Sequence, residues 1–355
     1  MEPSFDFNLH REQSVEKYKQ LRPVYEVFSK TVEGILQHVL KTESINFHSI
    51  EFRAKDLESF GKKAMTPSNE SMDRPKYSDP LSQITDLAGT RVITFFPKTI
   101  EKICQIIEQQ FEMIEKVDKN EELIKQEKVG YNSIHYVVKL KPSRTNLAEY
   151  QRFKDLVVEI QVRTILQHAW AEIEHDIQYK SAEAIPSLIK SRFMSLAGLL
   201  EIADREFQAI QDADKKLTES ARESVKQGNL GNVEITPDAL KAYADKVLGP
   251  DARMSNFSYE FTVKILKELG FLNFKQIDEC IRPYLDKDID KIIYGTRQGQ
   301  LWRFEALLLA SLGDHYIQKH LWNKESWFVD MCNRHVSVLK NKGLTMGNYV
   351  PKKVQ

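Results

Sequence analysis

The sequence has few cysteines, no excess of charge of either sign and no long apolar run. Its three cysteines, Cys104, Cys280 and Cys332, form no C-x-x-C pair, which argues against a disulfide framework or a zinc knuckle. The 51 basic and 51 acidic residues give a net charge of zero, so strong nonspecific binding to nucleic acid is not expected, although a local basic patch stays open. The sequence shows neither a signal peptide nor the ~20 apolar residues of a membrane helix. We therefore expect a cytoplasmic protein without a membrane partner.

The hydrophobic pattern predicts two differently built halves. With 355 residues, of which 41% are hydrophobic, the chain is long enough for two domains. Residues 12–42 have helical periodicity and predict one long helix, or two helices broken near Pro23. Strand and helix patterns then alternate to about residue 180, which is typical of a mixed α/β arrangement with its sheet in the first half. The predicted strands are 50–55, 91–96, 111–117, 133–140 and 156–163.

The second half has helical patterns only. Residues 186–226 predict a long helix that closes a first domain of 1–226, and the Gly- and Asn-rich segment 227–235 predicts a linker. Thr236 and Pro237 are typical of a helix start. We expect a helical accessory domain over 236–345 and a tail over 346–355. Its predicted core residues are Trp302, Phe304, Leu307, Leu308 and Leu312.

The segment 158–164 alternates between apolar and polar side chains. A strand directs successive side chains to opposite faces, so Glu159, Gln161 and Arg163 share one face. The helix predicted over 165–180 carries a polar stripe that includes His168 and Glu172. Strand and stripe could line a cleft, although an exposed edge strand or an internal hydrogen-bond network would show the same pattern.

This stripe does not favour two common metal sites. The spacing of His168, Glu172 and His175 is not H-E-x-x-H, and no third zinc ligand is evident. His175 and Asp176 form an H-D pair, but the chain lacks the further His and Asp clusters of a phosphohydrolase of that type.

Three further segments carry candidate chemistry. Asp86 precedes a turn glycine and could bind Mg²⁺ together with Glu159, or cap a turn. In the segment 130–136, Tyr131, Ser133 and His135 alternate on one side, so the aromatic ring could stack on a base, although the start of an amphipathic strand would show the same alternation. The segment 53–63 combines four cations with a hydroxyl and a helix start, which would suit a triphosphate or a solvated turn. Its candidate residues are Arg53, Lys55, Ser59 and Lys63.

Taken together and in this order, the segments resemble the RelA/SpoT-type alarmone synthetases, specifically the small single-function ones. The shared patterns are R-x-K-x3-S-x3-K from residue 53, D-L-x-G-x-R from 86, G-Y-x-S-I-H-Y from 130 and E-I-Q-V-R-T from 159. The resemblance implies an α+β fold, with a nucleotidyltransferase-like synthetase domain whose mixed sheet is flanked by helices. An all-α accessory domain follows it.

The resemblance also implies a reaction and its residues. Such enzymes transfer pyrophosphate from ATP to the 3′-hydroxyl of GDP or GTP, giving AMP and (p)ppGpp. Arg53 and Arg91 would sandwich the adenine. Asp86 and Glu159 would hold Mg²⁺, with Glu159 also accepting the proton of the attacking hydroxyl. The triphosphate would contact Lys55, Ser59 and Lys63, and the acceptor would contact Tyr131, His135, Gln161, Arg163 and His168.

The acceptor stays open at the sequence level. Some small synthetases carry asparagine nine residues after the motif glutamate, where this chain has His168, and imidazole offers different donors and acceptors. A toxic synthetase of the same fold that modifies the tRNA 3′ end or adenine nucleotides is therefore the alternative. A degenerate nucleotide-binding regulator is a third reading, against which the intact Asp86 and Glu159 argue. Homo-oligomerisation also stays open.

Overall fold

The computed structural model describes residues 5–118, 133–180, 187–251 and 255–351. The chain divides into two units, Met1–Ile210 and Gln211–Gln355. No described helix combines the length and the apolar character that crossing a membrane requires.

The described part of the first unit contains one five-stranded sheet. Its strands are β1 (Ser49–Ala54), β2 (Ala88–Thr94), β3 (Phe111–Asp118), β4 (Ile134–Leu140) and β5 (Val158–Thr164). They lie in the order β1-β2-β5-β4-β3. Strands β2 and β5 are parallel, and the other neighbours are antiparallel. The sheet is therefore mixed, and with its flanking helices it confirms the predicted α+β fold.

Helices precede, separate and follow these strands along the chain. They are α1 (Phe7–Thr42), α2 (Leu57–Ala64), α3 (Pro80–Gln83), α4 (Pro97–Gln110), α5 (Pro142–Thr145) and α6 (Ile165–Lys180), followed by α7 (Ser187–Gln227). Of the two readings left open for the first helix, one long helix is confirmed, because α1 continues through Pro23. An internal proline costs about 3 kcal/mol. Each large side chain that α1 buries, such as Tyr18, Phe28 and Leu36, contributes about 1.5–3 kcal/mol and together they outweigh that cost.

The two faces of the sheet differ as the alternation predicted. Val158, Ile160 and Val162 of β5 are fully buried in the apolar core on one face. Glu159 and Gln161 alternate with them and are only partly buried. Since side chains of paired residues share a face, this second face continues from β5 across β2 and β4. It is the polar face on which the candidate site is built.

The second unit is helical throughout its described residues. Its helices after α7 are α8 (Pro237–Leu248), α9 (Asn256–Glu268), α10 (Phe274–Ile281), α11 (Ile289–Tyr294), α12 (Gln300–Leu312), α13 (Asp314–Lys319) and α14 (Ser326–Asn341). The predicted start at Thr236 is confirmed, because its hydroxyl caps α8 by accepting from the amide of Ala239. Val233 and Ile235, in the segment predicted as a linker, are buried in the core of this unit.

The predicted core of α12 is correct except at one residue. Phe304, Leu307, Leu308 and Leu312 are buried. The prediction for Trp302 was wrong, because 47% of its surface is exposed. Two residues along a helix correspond to about 200° of rotation, so Trp302 projects away from the side that Phe304 buries.

Residues beyond α14 pack closely against α12, and this gives a stability prediction. The amide of Gly347 donates to the carbonyl of Ala310 at 2.8 Å, and a Cβ at position 347 would overlap the Ser311 carbonyl. We expect Gly347→Ala to lower the free energy of unfolding by about 1–3 kcal/mol. Urea denaturation measures this. Gly231→Ala is the matched control, because its Cβ meets no atom within 4 Å; equal stability of both variants would contradict the predicted overlap.

Candidate active site

A cleft of about 350 Å³ lies on the polar face of the sheet. Five residues predicted from the sequence line it: Arg53, Arg91, His135, Gln161 and Arg163. The lining is completed by Ser133, Gln167, Ala171, Glu172 and His175. The structure therefore brings together side chains from β1, β2, β4, β5 and α6, which the sequence separates by more than a hundred residues.

A reciprocal cap fixes how α6 leaves the end of β5. The hydroxyl of Thr164 accepts from the amide of Gln167 at 3.1 Å, while the side-chain carbonyl of Gln167 accepts from the amide of Thr164 at 2.8 Å. This is the capping-box arrangement, which satisfies two amides at a helix start. It directs the polar stripe of α6 to the cleft, where Glu172 and His175 form part of the wall.

Asp86 lies between two lysines. The Nζ of Lys55 is 2.7 Å from one carboxylate oxygen of Asp86, and the Nζ of Lys63 is 3.0 Å from the other. Burial raises the pKa of Asp86, but the two lysines outweigh burial and hold that pKa below its ordinary value. Tyr18 secures the strand end by donating its hydroxyl to the carbonyl of Lys55 at 2.9 Å. Asp86 is thus ionised at neutral pH and already surrounded by positive charge.

Ser59 occupies a different environment from the lysines with which it was grouped. It lies on the exposed side of α2 and does not line the cleft. Its backbone amide and that of Glu58 donate to the carboxylate of Asp56, the N-cap of α2, at 3.1 and 2.9 Å. Two amides of this helix start, which were expected to serve a phosphate, are therefore bonded within the protein.

Glu159 is held by donors from two strands. The Nδ1 of His135 is 2.9 Å from one of its carboxylate oxygens, and the amide of Gln161 donates to the other at 2.8 Å. The hydroxyl of Ser133 lies 2.7 Å from the Nε2 of His135 and extends the chain of bonds. Burial raises the pKa of Glu159, but the bonds from His135 and Gln161 outweigh burial and hold that pKa below its ordinary value. Glu159 is therefore an ionised carboxylate in a fixed orientation.

Neighbouring groups orient the side chains of Arg91 and Arg53 on the polar face of the sheet. Arg91 donates to the carboxylate of Glu172 at 2.8 Å and lies 3.8 Å from that of Glu51, its cross-strand partner. Arg53 crosses Gly89, where a Cβ would lie 3.5 Å from the Cγ of Arg53. Because that glycine has no side chain, the stem of Arg53 can lie against the backbone of β2.

Arg163 is a buried cation facing the cleft. Only 5% of its surface is exposed, and its Nε has no hydrogen-bond partner among the described residues. Burial, together with the charge of Arg91, lowers its pKa to about 10, so the guanidinium stays charged at neutral pH. A buried positive group with an unused donor is suited to an anionic ligand.

His168 borders the same group of charges. Its ring nitrogens lie 3.9 Å from the carboxylates of Glu51 and Glu172. Burial lowers its pKa, and the attraction of the two glutamates does not compensate for this. The ring is therefore neutral at pH 7 and can offer one donor and one acceptor.

The two predicted metal ligands, Asp86 and Glu159, influence one another electrostatically. The negative charge of Asp86 raises the pKa of Glu159, although less than the bonds from His135 and Gln161 lower it. No group of three or more His, Cys, Asp or Glu side chains that could hold a metal occurs among the described residues. Mg²⁺ at nucleotide sites commonly takes only one or two carboxylates together with phosphate oxygens, so two ionised carboxylates fit such an ion.

Sequence reasoning left some residues in or beside the cleft out of its predicted site. Glu51, which lies 3.8 Å from the cleft-lining Arg91, is two residues before Arg53 and therefore shares its strand face, a signal that the alternation contained. Gln167 stands three residues after Thr164, which is the spacing of a capping box. Ser133, Glu172 and His175 were noticed as parts of polar stripes but were not assigned to the site. Tyr131 lies outside the described residues, so its stacking role stays a prediction.

Comparisons with known proteins match the same part of the chain. The family described as "Region found in RelA / SpoT proteins" matches residues 52–184. The GTP pyrophosphokinase YwaC of Bacillus subtilis (strain 168) is 28% identical over 160 residues, which cover 45% of this chain and 71% of that protein. The GTP pyrophosphokinase YjbM of the same organism is 31% identical over 137 residues, which cover 38% of this chain and 62% of that protein.

A solved structure is also similar to this chain. The small alarmone synthetase 1 from Bacillus subtilis aligns with a TM-score of 0.46 and 22% identity, over 57% of this chain and 99% of that one. Every residue that the sequence predicted for the site falls within the family match at 52–184.

Proposed function

We propose that residues 52–184, which match the family described as "Region found in RelA / SpoT proteins", transfer pyrophosphate from ATP to the 3′-hydroxyl of GDP or GTP. The observation that supports this most is the ionised carboxylate of Glu159, which His135 and Gln161 hold at a cleft with three arginines. Asp86 supplies a second ionised carboxylate. Phosphoryl-type transfer needs positioning and charge neutralisation more than covalent chemistry. This set of side chains supplies both.

ATP would occupy the side formed by β1, β2 and α2. The guanidinium planes of Arg53 and Arg91 would enclose the adenine, with Glu172 keeping Arg91 in place. The triphosphate would meet Lys55 and Lys63, whose ammonium groups now contact Asp86. Ser59 would contribute its exposed hydroxyl at the outer end.

Asp86 and Glu159 would hold Mg²⁺ together with phosphate oxygens, and the ion would neutralise charge that builds up on the transferred group. Glu159 is the carboxylate oriented by His135 and Gln161, so it is also the proposed base. It would take the proton of the acceptor 3′-hydroxyl as the oxygen of that hydroxyl bonds to the β-phosphorus of ATP. The bond from this phosphorus to the oxygen bridging to the α-phosphate breaks, and AMP leaves with that oxygen.

The acceptor would occupy the side formed by β4, β5 and α6. Arg163, with its unused buried Nε, would bind an acceptor phosphate. His135 and Gln161 would orient the acceptor near Glu159, and the neutral ring of His168 would contact its base or ribose. Tyr131 would stack on the base.

An acceptor screen tests this proposal. Purified protein with Mg²⁺ and ATP labelled at the β-phosphate should pass label to GDP or GTP, and EDTA should stop transfer. Deacylated tRNA and unlabelled ATP are tested as separate acceptors under the same conditions. Label on tRNA or on adenine nucleotide, with none on guanine nucleotide, would refute the guanine acceptor and support the toxic-synthetase alternative. The absence of transfer to every acceptor would refute the reaction itself.

A further inference from the structure

The second unit contains a small aromatic pocket between α9 and α12. Its volume is about 160 Å³. Its walls carry four aromatic side chains: Phe257, Phe261, Trp302 and Trp322. Three of these are unusually exposed for their size, with Phe257 at 73%, Trp302 at 47% and Trp322 at 39% of their surface. The rings of Phe261 and Trp322 have centroids 4.7 Å apart, so the wall is a packed aromatic surface.

A carboxyl group forms the polar part of this pocket. Glu305 of α12 lines it and is partly buried. The hydroxyl of Thr262 on α9 donates to Glu305 at 3.2 Å. No ion pair among the described residues includes Glu305, although buried carboxylates are normally paired.

The titratable groups that act on Glu305 from the neighbouring helices carry no compensating charge. They are Tyr294 of α11, Tyr316 of α13 and Cys332 of α14. Burial raises the pKa of each, to about 12 for Tyr294 and Cys332, so all three are neutral at physiological pH. Glu305 is therefore an acid without a cation of its own, at the base of an aromatic pocket.

We propose that this pocket binds an alkylammonium ion, with the ammonium group against Glu305 and the carbon chain against the aromatic rings. Aromatic faces attract cations, most strongly those of tryptophan. A bound cation would also supply the charge partner that the buried carboxyl lacks. A cavity of about 150 Å³ is known to hold a benzene-sized ligand, whereas drug-sized ligands need about 300 Å³ or more. The pocket therefore matches a short amine and is too small for a nucleotide.

Titration of the full-length protein with n-butylammonium chloride tests the inference. Trp302 and Trp322 lie in the pocket, so their fluorescence should change to saturation as the ion binds. Neutral n-butanol has a similar shape and should bind at least about tenfold more weakly, because it gains no ion pair. Equal binding of the two compounds, or no saturable change, would overturn the proposal.

The alkylammonium group could come from two sources, and two further probes distinguish them. Putrescine represents a free diamine, and N-acetyl-lysine-N-methylamide represents a lysine side chain of another protein. Tighter binding of putrescine identifies a small-molecule site, and tighter binding of the lysine derivative identifies a peptide site. Failure of both to compete with n-butylammonium would overturn the proposal.

The carboxyl is tested by substitution and by pH. Glu305→Gln should weaken n-butylammonium binding at least about tenfold, since the amide carries no charge. Glu260→Gln is the matched control, because Glu260 is exposed on α9, and it should bind like the wild type.

Burial raises the pKa of Glu305 to about 7, so the ionised form that a cation prefers increases as pH rises. Binding to the wild type should therefore be about tenfold tighter at pH 8 than at pH 6, and the Gln variant should lose this dependence.

The aromatic wall gives an independent variant. Phe257 is mostly exposed, so Phe257→Leu should leave the unfolding curve unchanged. It should weaken n-butylammonium binding about threefold to tenfold by removing one ring face, while binding of n-butanol changes less. Unchanged affinity for both ligands would contradict the aromatic role even if the Glu305 variant did not fold.

Discussion

Replacing Glu159 with glutamine should lower pyrophosphate transfer by about 10²- to 10⁴-fold, the usual contribution of a positioned general base. Glutamine has nearly the same shape, so its carbonyl can still accept from Gln161 and its amide group can still meet His135. It cannot accept the proton of the attacking hydroxyl, and it is a poorer ligand for Mg²⁺ than a carboxylate. The variant should therefore fold and bind ATP nearly as well as the wild type while losing the chemical step.

Steady-state transfer of labelled pyrophosphate and binding of a fluorescent ATP analogue measure the two properties separately. Glu112→Gln provides the control, since Glu112 is an exposed glutamate on β3 of the same sheet. The Glu112→Gln variant should match the wild type in both assays. Full transfer activity in Glu159→Gln would refute the role of Glu159 as base. Loss of ATP binding in Glu159→Gln would indicate that the Glu159 carboxylate mainly holds the substrate.

The fold was predictable wherever hydrophobic periodicity dictates the structure. The alternation in 158–164 predicted the two faces of β5 because one face must be buried, and the helical stripe predicted α6. At Pro23 the sequence left one helix or two open, because local propensity opposes a continuous helix while the gain from packing, which decided for one helix, is not visible in the sequence. The prediction that Trp302 belongs to the core was wrong because it followed from the apolar residue type alone. Its position on α12 directs the side chain to a pocket.

The sequence predicted which residues belong to the candidate site, but not which of their side chains contact one another. Register determines that Glu51 lies opposite Arg91, and no local pattern in the sequence reveals register. The resemblance assigned Asp86 to a metal and Lys55 to a phosphate, whereas the structure joins these side chains directly. Such a pairing depends on the approach of elements that are more than twenty residues apart, which only the folded chain establishes.

Replacing Asp86 with asparagine should have the second largest effect, because Asp86 serves both chemistry and stability. Its side chain is 15% exposed and that of Lys55 is 11% exposed, so the substitution leaves a buried ammonium without its counter-charge. We expect the free energy of unfolding to fall by about 1–3 kcal/mol. Transfer activity should fall at least about 100-fold, because a proposed Mg²⁺ ligand is lost. Urea denaturation and the transfer assay measure the two effects.

The pH dependence separates the contribution of this ion pair from a general loss of packing. The pKa of Asp86 is lowered in the folded protein, so its carboxylate stabilises the fold above its unfolded pKa of about 3.9, and this contribution disappears as pH falls through the lower folded value. The stability difference between wild type and Asp86→Asn should therefore be largest near neutral pH and shrink below about pH 4. Asp155→Asn, which changes an exposed aspartate of the first unit, should show no such difference. A difference for Asp86→Asn that stays constant from neutral to acidic pH would mean that the lysines do not stabilise the protein through this carboxylate.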